Sequence, residues 1–177
     1  YNGVFPQIHT GSFADEAAES DSGHQEEGHD HDEMQWFTPL ITSYNYKTKY
    51  LQCKADSKFK EGTLHENHLH EAVQSYLINA MFTFGHRRDT LKQSSFYVLL
   101  SERGDDTSGN PFEHQCYHSM CAVTKWEDHI AKKRHIKNSN YLFADGHAAS
   151  HQFSETVGDR SEKQNQHFIK DWGGNYL

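Results

Sequence analysis

Near the end of the chain a short apolar run, an Asp-Gly pair and a second run follow one another directly: Asn140-Tyr141-Leu142-Phe143-Ala144, then Asp145-Gly146, then His147 to Phe153. Asp-Gly is favoured in two-residue type I′ hairpin turns, because both central residues need a positive φ. The stretch therefore predicts an antiparallel hairpin and commits this part of the chain to a sheet. Side chains alternate along a strand, so Tyr141 and Phe143 are expected on one face and Leu142 and Ala144 on the other.

Other elements are signalled more weakly. Ser94 to Leu100 reads as a buried strand, aromatic and aliphatic, followed by a polar turn over Glu102 to Asn110. Thr38 followed by Pro39 predicts a short helix capped at Thr38. From Leu69, the apolar residues Val73, Tyr76, Leu77, Ala80 and Met81 recur at helical spacing, which predicts a helix over the first part of that segment. Lys54 to Gly62 reads as a charged turn. A late apolar patch, Phe168, Ile169, Trp172, Tyr176 and Leu177, is expected to pack back onto the rest of the chain.

A chain of 177 residues is expected to form one domain, 1–177, long enough to bury a core. Only 34% of it is hydrophobic and the mean hydropathy is −0.93, so part of it should be loop. The net charge of −8 argues against a nucleic-acid partner, which calls for a basic surface. That charge is local. Asp15, Glu16, Glu19, Asp21, Glu26, Glu27, Asp30, Asp32 and Glu33 are nine acids with no Lys or Arg among them, and without them −8 becomes +1. Residues 14–34 therefore read as an acidic, His-rich loop or insert within the domain. No apolar run approaches the roughly 20 residues of a membrane helix, and no signal peptide is visible.

The chain holds 15 histidines. His24, His29, Asp30, His31 and Asp32 offer imidazoles and carboxylates in one segment, a candidate site for a divalent metal such as zinc or calcium; a solvated acidic tract is the alternative. His65-Glu66-Asn67-His68 is one residue short of the metalloprotease His-Glu-x-x-His and reads as a polar helix start. His114, His118 and His129 flank Cys116 and Cys121 at spacings that fit no zinc finger. The three cysteines form no Cys-x-x-Cys pair. Outside the cytoplasm Cys116 can bridge Cys121, or Cys53 can bridge either, and three free thiols remain equally open. His135 and Asp145 suggest a structural latch onto the hairpin turn, or a metal site shared with His147. No nucleophile, base and oxyanion set can be named, and no phosphate-binding loop is present, so no enzymatic activity is expected.

Arg134-His135, followed after nine residues by Asp145-Gly146, with Asn140, Phe143 and His147 in place, resembles the H-X9-DG segment of a family of bacterial prepilin-type, type II secretion pseudopilin-like proteins. The usual Gly-Gly of the spacer is replaced by Lys137-Asn138-Ser139. Tyr1-Asn2-Gly3-Val4-Phe5-Pro6 resembles the Asn-Gly-Tyr-Phe-Pro that follows the family's N-terminal helix. Cys53-Lys54-Ala55-Asp56 resembles its Cys-Pro-x-Asp, and Ser75-Tyr76-Leu77-Ile78-Asn79 its Ser-Tyr-x-x-Asn, which implies that Ser75 to Asn79 enters the sheet. The resemblance runs from residue 1 to about residue 153. It implies an α+β pilin-like head, a small antiparallel sheet with short helices and long loops, whose N-terminal helix lies ahead of Tyr1. It further implies an extracytoplasmic location, a membrane contact only through that helix, and self-assembly into a filament.

Overall fold

The computed structural model describes residues 3–5, 7, 36–44, 47–65, 68–70, 74–104, 116–117, 119, 126–161 and 163–172. In chain order these form α1 (Thr38–Tyr44), a two-stranded ribbon of β1 (Thr63–His65) and β2 (His68–His70), then β3 (Tyr76–Asn79), β4 (Val98–Glu102), β5 (Cys116–Tyr117), β6 (Ser139–Phe143), β7 (Ala148–His151) and α2 (Phe153–Val157). Single 3-10 turns separate them at Thr48–Leu51, Ala80–Thr83, Arg88–Thr90 and Trp126–His129. The main sheet has the order β5-β3-β4-β6-β7. It is mixed rather than wholly antiparallel, because β5 runs parallel to β3. The chain is thus α+β, with one small sheet and short helices.

Both faces of the sheet are covered. One core holds Trp36, Phe37, Ile78, Met81, Phe82, Tyr97 and Ile169; the other holds Leu77, Val98, Tyr117, Trp126, Tyr141, Phe143 and Val157. Neighbours Leu77 and Ile78 take opposite faces, as do Tyr97 and Val98, which is the two-residue period of a strand. This explains why Tyr76–Asn79 is a strand although its apolar spacing suits a helix: pairing to β4 and β5 and burial on both faces override the local pattern. The helix expected from Leu69 is therefore absent among the described residues, where His68–His70 is also strand. The described part of the late apolar patch packs back as expected, with Phe168 and Ile169 buried and Trp172 packed against the first core; Tyr176 and Leu177 lie outside the described residues.

The hairpin is present, with Tyr141 and Phe143 in one core and Ala144 in the other. Its turn differs from the type I′ expectation. Gly146 has φ +97, but Asp145 does not have a positive φ. The Gly146 N–H donates to Phe143 O and the Phe143 N–H to His147 O, both at 2.9 Å. The loop is thus three residues, Ala144 to Gly146, closed by a left-handed glycine. Ala144 and Asp145 are held elsewhere: their N–H groups donate to Tyr97 O and Ser94 O, at 2.9 and 3.1 Å. Those bonds tie the hairpin tip to the turn before β4, so the strand read from Ser94 begins only at Val98.

A buried side chain fixes the middle of the sheet. Asn79 donates to Val98 O (3.2 Å) and His167 O (2.8 Å), and its Oδ1 accepts from the Met81 N–H (3.2 Å) and the Ser119 hydroxyl (3.1 Å). Both amide donors and both lone pairs are used. His167, also fully buried, is held by a chain of hydroxyls. The Thr156 hydroxyl donates to Phe153 O, so His167 Nε2–H donates to Thr156 Oγ1 at 2.9 Å, and Nδ1 accepts from the Tyr117 hydroxyl at 3.0 Å. That arrangement needs a neutral imidazole, and burial pushes its pKa down to about 3.

Candidate functional site

The last residues of β4 are charged and buried: Glu102 is 0% exposed, and Arg103, just beyond it, 1%. The sequence places Glu102 in a polar turn, and this is corrected by the fold. The strand continues because the segments on either side supply backbone partners: the Arg103 N–H donates to Ser75 O, the Ala131 N–H to Glu102 O and the Gly104 N–H to His129 O. Buried charges survive only when paired and hydrogen-bonded, and three pairs of residues from distant parts of the chain meet here.

The first pair is Cys53 and Asp56, the ends of one turn closed by the Asp56 N–H donating to Cys53 O at 2.9 Å. The second is Glu102 and Arg103, whose side chains leave opposite sides of the strand. The third is Arg134 and His135. One member of each pair goes to each of two clusters.

In the first cluster Asp56 Oδ2 lies 3.0 Å from Arg134 Nη1 and 3.3 Å from Arg103 Nη2, with all three side chains buried. The Arg103 Nε–H donates to Gln74 O at 2.7 Å, Arg134 Nη2 donates to Arg103 O, and the Lys58 N–H donates to Asp56 Oδ1 at 2.9 Å. Burial acts to raise the Asp56 pKa. The nearby Ser75 hydroxyl, the Lys58 N–H and the two guanidiniums outweigh it and hold the carboxyl below its ordinary 3.8.

In the second cluster His135 Nε2 lies 2.9 Å from Glu102 Oε1 and 3.5 Å from Cys53 Sγ. Glu102 is fixed further by the Asn140 N–H on Oε2 (2.9 Å) and the Asn140 amide near Oε1 (3.5 Å). Burial pushes the Cys53 thiol above 9.0, helped by Glu102 and opposed by the Ala55 N–H and Arg134. Tyr76 borders the same cluster, its phenol pushed up to about 12 chiefly by burial, with Cys53 and Glu102 adding to it.

The chain between these groups is shaped to deliver them. His135 and Asn138 close a tight loop, with the His135 N–H donating to Asn138 O at 2.9 Å. At its tip Ile136 takes φ +69 and is 89% exposed. A β-branched residue with positive φ is strained, and the loop that holds it brings His135 and Asn140 onto the same carboxylate.

Of the residues singled out from sequence, Arg134, His135, Asn140, Cys53 and Asp56 come together here, and Asn79 lies in the core beside them in sequence order. Phe143, Asp145, Gly146 and His147 gather at the other end of β6. The latch expected between His135 and Asp145 is not formed: His135 holds Glu102, while Asp145 Oδ1 accepts from the His147 N–H (3.0 Å) and lies 2.6 Å from its Nδ1. The His147 ring stacks on Phe143 at 4.3 Å, so the exposed end of the motif is a local turn lock. These bonds from the His147 N–H and ring hold the Asp145 carboxyl below its ordinary value. Cys53 is a free thiol and is not bridged to Cys116. Cys121, the metal candidates His24, His29, Asp30, His31 and Asp32, and His114 and His118 lie outside the described residues. Glu102 and Arg103 were missed. The available signal was two opposite charges just after the apolar run Val98-Leu99-Leu100 and Ser101, where a solvated turn and buried, paired charges look alike.

Chemically, the second cluster brings a thiol, an imidazole and a carboxylate together. In a nucleophile-His-carboxylate triad the nucleophile and the carboxylate address different ring nitrogens. Here both face Nε2, so these three residues do not form that relay. Among the described residues no helix is long and apolar enough to cross a membrane. No family model, no curated protein and no solved structure matches the chain.

Proposed function

We propose that the chain is the head of a filament subunit of the type IV pilus or type II secretion pseudopilus kind, with a structural and interaction role rather than a catalytic one. The observation that carries this reading is the convergence of Cys53, Asp56, Arg134, His135 and Asn140 on the buried end of β4. These residues carry the resemblance to the H-X9-DG prepilin-type family, and they act together as an anchor that ties three segments into one head. In this reading a membrane-inserted helix precedes Tyr1, a prepilin peptidase trims it, and the helix drives self-assembly outside the cytoplasm.

The start of the described chain suits that role. The Phe5 N–H donates to His86 O at 2.9 Å and the Arg88 N–H to Gly3 O at 2.7 Å. Phe5 packs edge-on to Phe82 and Trp172, at 4.8 and 5.6 Å between ring centres. In this reading a helix ahead of Tyr1 is coupled to the core through these contacts.

The test is immunogold electron microscopy with antibodies to the head, on cells making the full-length gene product. The expected result is label along filaments or on short envelope-anchored rods. Label confined to the cytoplasm, or a freely diffusing protein with no filament, refutes the reading.

A further inference from the structure

We propose that Cys53, Glu102 and His135 form a binding site for one divalent transition-metal ion of borderline softness, zinc in the first instance, with a fourth position open to water. This site uses none of the residues of the His/Asp tract at 24–32 and does not depend on the filament reading.

Three observations carry it. First, one atom from each residue converges: Sγ, Nε2 and a carboxylate oxygen all lie within 4.8 Å of one another. The segments that supply them are far apart: Cys53 and His135 are 82 positions apart in sequence, and Glu102 and His135 are 33 apart. Tetrahedral zinc with Zn–S of about 2.3 Å and Zn–N and Zn–O of about 2.1 Å requires S···N of about 3.6 Å and N···O of about 3.4 Å. The observed S···N is 3.5 Å. The observed N···O, 2.9 Å, is the separation of a hydrogen bond, and replacing the proton by a metal requires it to open by about half an ångström.

Second, without a metal the thiol and the ring both turn to one carboxylate: the Nε2–H is directed to Glu102 and the Cys53 thiol is hydrogen-bonded to Glu102. A ring nitrogen carries one proton at most, so the 3.5 Å approach of Sγ to Nε2 is a contact beside those two bonds. A metal takes the place of both protons and meets all three atoms from one point.

Third, the surroundings are those of a supported site. Glu102 is oriented through its other oxygen by the Asn140 N–H, the kind of outer contact that fixes a metal-binding carboxylate. Cys53 is buried and Glu102 fully so, while the His135 side chain is 36% exposed, which gives an ion a way in and leaves room for water. One thiolate, one imidazole and one carboxylate suit zinc or cobalt(II) and not calcium or magnesium, which take all-oxygen shells. Binding forms bonds from the metal to Sγ, Nε2 and one Glu102 oxygen, releases the thiol proton to solvent, and moves the ring proton to Nδ1.

The experiment is a cobalt(II) titration of the chelator-treated full chain, followed by displacement with zinc. A thiolate ligand gives a near-ultraviolet sulfur-to-cobalt band that imidazole and carboxylate ligands do not. The expected result is a band that saturates at about one equivalent and is displaced by one zinc. It is lost in Cys53→Ser, kept in Cys116→Ser and in a deletion of residues 23–33, and accompanied by at least a 10-fold weaker zinc affinity in His135→Gln. Absence of the band in the wild-type chain overturns the proposal without recourse to any variant. So does a band that survives Cys53→Ser or disappears with residues 23–33. Filaments without bound metal, or metal without filaments, separate this proposal from the functional one.

Discussion

Removing the buried Asp56 carboxylate should cost more than removing an exposed charge, because it strands two buried cations. The side chains of Arg103 and Arg134 are 1% and 3% exposed and that of Asp56 is 0%. Asp56→Ala leaves both guanidiniums without their carboxylate and frees the Lys58 N–H as well. Breaking a buried ion pair from one side costs about 3–5 kcal/mol, since the remaining charge stays desolvated. A domain holds together with about 5–15 kcal/mol in all, and for a chain of this size each kcal/mol moves the melting midpoint by about 2–4 °C. The expected fall in midpoint is therefore about 6–20 °C. Thermal unfolding followed by tryptophan fluorescence reads it directly through Trp36, Trp126 and Trp172, and urea unfolding by the same signal gives the free energy. The control is Asp89→Ala, which removes an ion pair to Arg87 whose two side chains are 63% and 62% exposed; it should leave the midpoint unchanged within error. Replacing Asp56, Arg103 and Arg134 together by apolar residues of similar volume should recover most of the loss. A cost below about 1 kcal/mol for Asp56→Ala, at unchanged denaturant slope, would refute the view that this triad anchors the fold. The same carboxyl predicts an acid limb. Its folded pKa is below 3.8, so the unfolded state binds the proton first. Its contribution is complete above the unfolded value and is lost as pH falls through the folded one.

His167 predicts a second pH dependence, at higher pH. Its folded pKa of about 3 lies under its ordinary 6.5, so stability is full above 6.5 and falls below it by up to about 1.4 kcal/mol per pH unit. Urea midpoints between pH 7.5 and 5 should show this slope, and His167→Gln should flatten it. Asn79→Ala removes the side-chain donor to Val98 O and the acceptor of the Met81 N–H, while the Ser119 hydroxyl and His167 O keep each other at 2.6 Å; about 2 kcal/mol should be lost in the same assay, and a loss under 1 kcal/mol would mean that the site relaxes. Ile136→Gly should stabilise by about 1 kcal/mol, because an exposed β-branched residue at φ +69 is strained and glycine is not. Differential scanning calorimetry showing no gain would place the strain elsewhere.

How far the sequence could be read depended on whether local chemistry or tertiary pairing decides each element. The hairpin was legible because Gly146 must accept a left-handed backbone and the strands alternate around it. The turn type was not, since bonds from Ala144 and Asp145 to Tyr97 and Ser94 are long-range and lengthen the loop to three residues. Tyr76 to Asn79 read as helix by spacing and as strand by resemblance; the strand prevails because each face meets a different core. In the site, Cys53, Asp56, Arg134, His135 and Asn140 were legible as motif residues, but not their common target. Glu102 and Arg103 look like the start of a solvated loop, and only the fold reveals that both are buried. The His135 latch was expected in kind and misplaced in partner, because a reach back to Asp145 is local whereas Glu102 arrives from β4.

The most direct test of the filament-head account is the N-terminal sequence of the native protein, determined by intact-mass and peptide mass spectrometry on the cell-envelope fraction. The account predicts about 20 predominantly apolar residues running directly into Tyr1-Asn2-Gly3, with a trimmed leader ahead of them. A native chain that reaches Tyr1 through polar sequence, or that is recovered whole from the soluble fraction with no apolar segment, would contradict it.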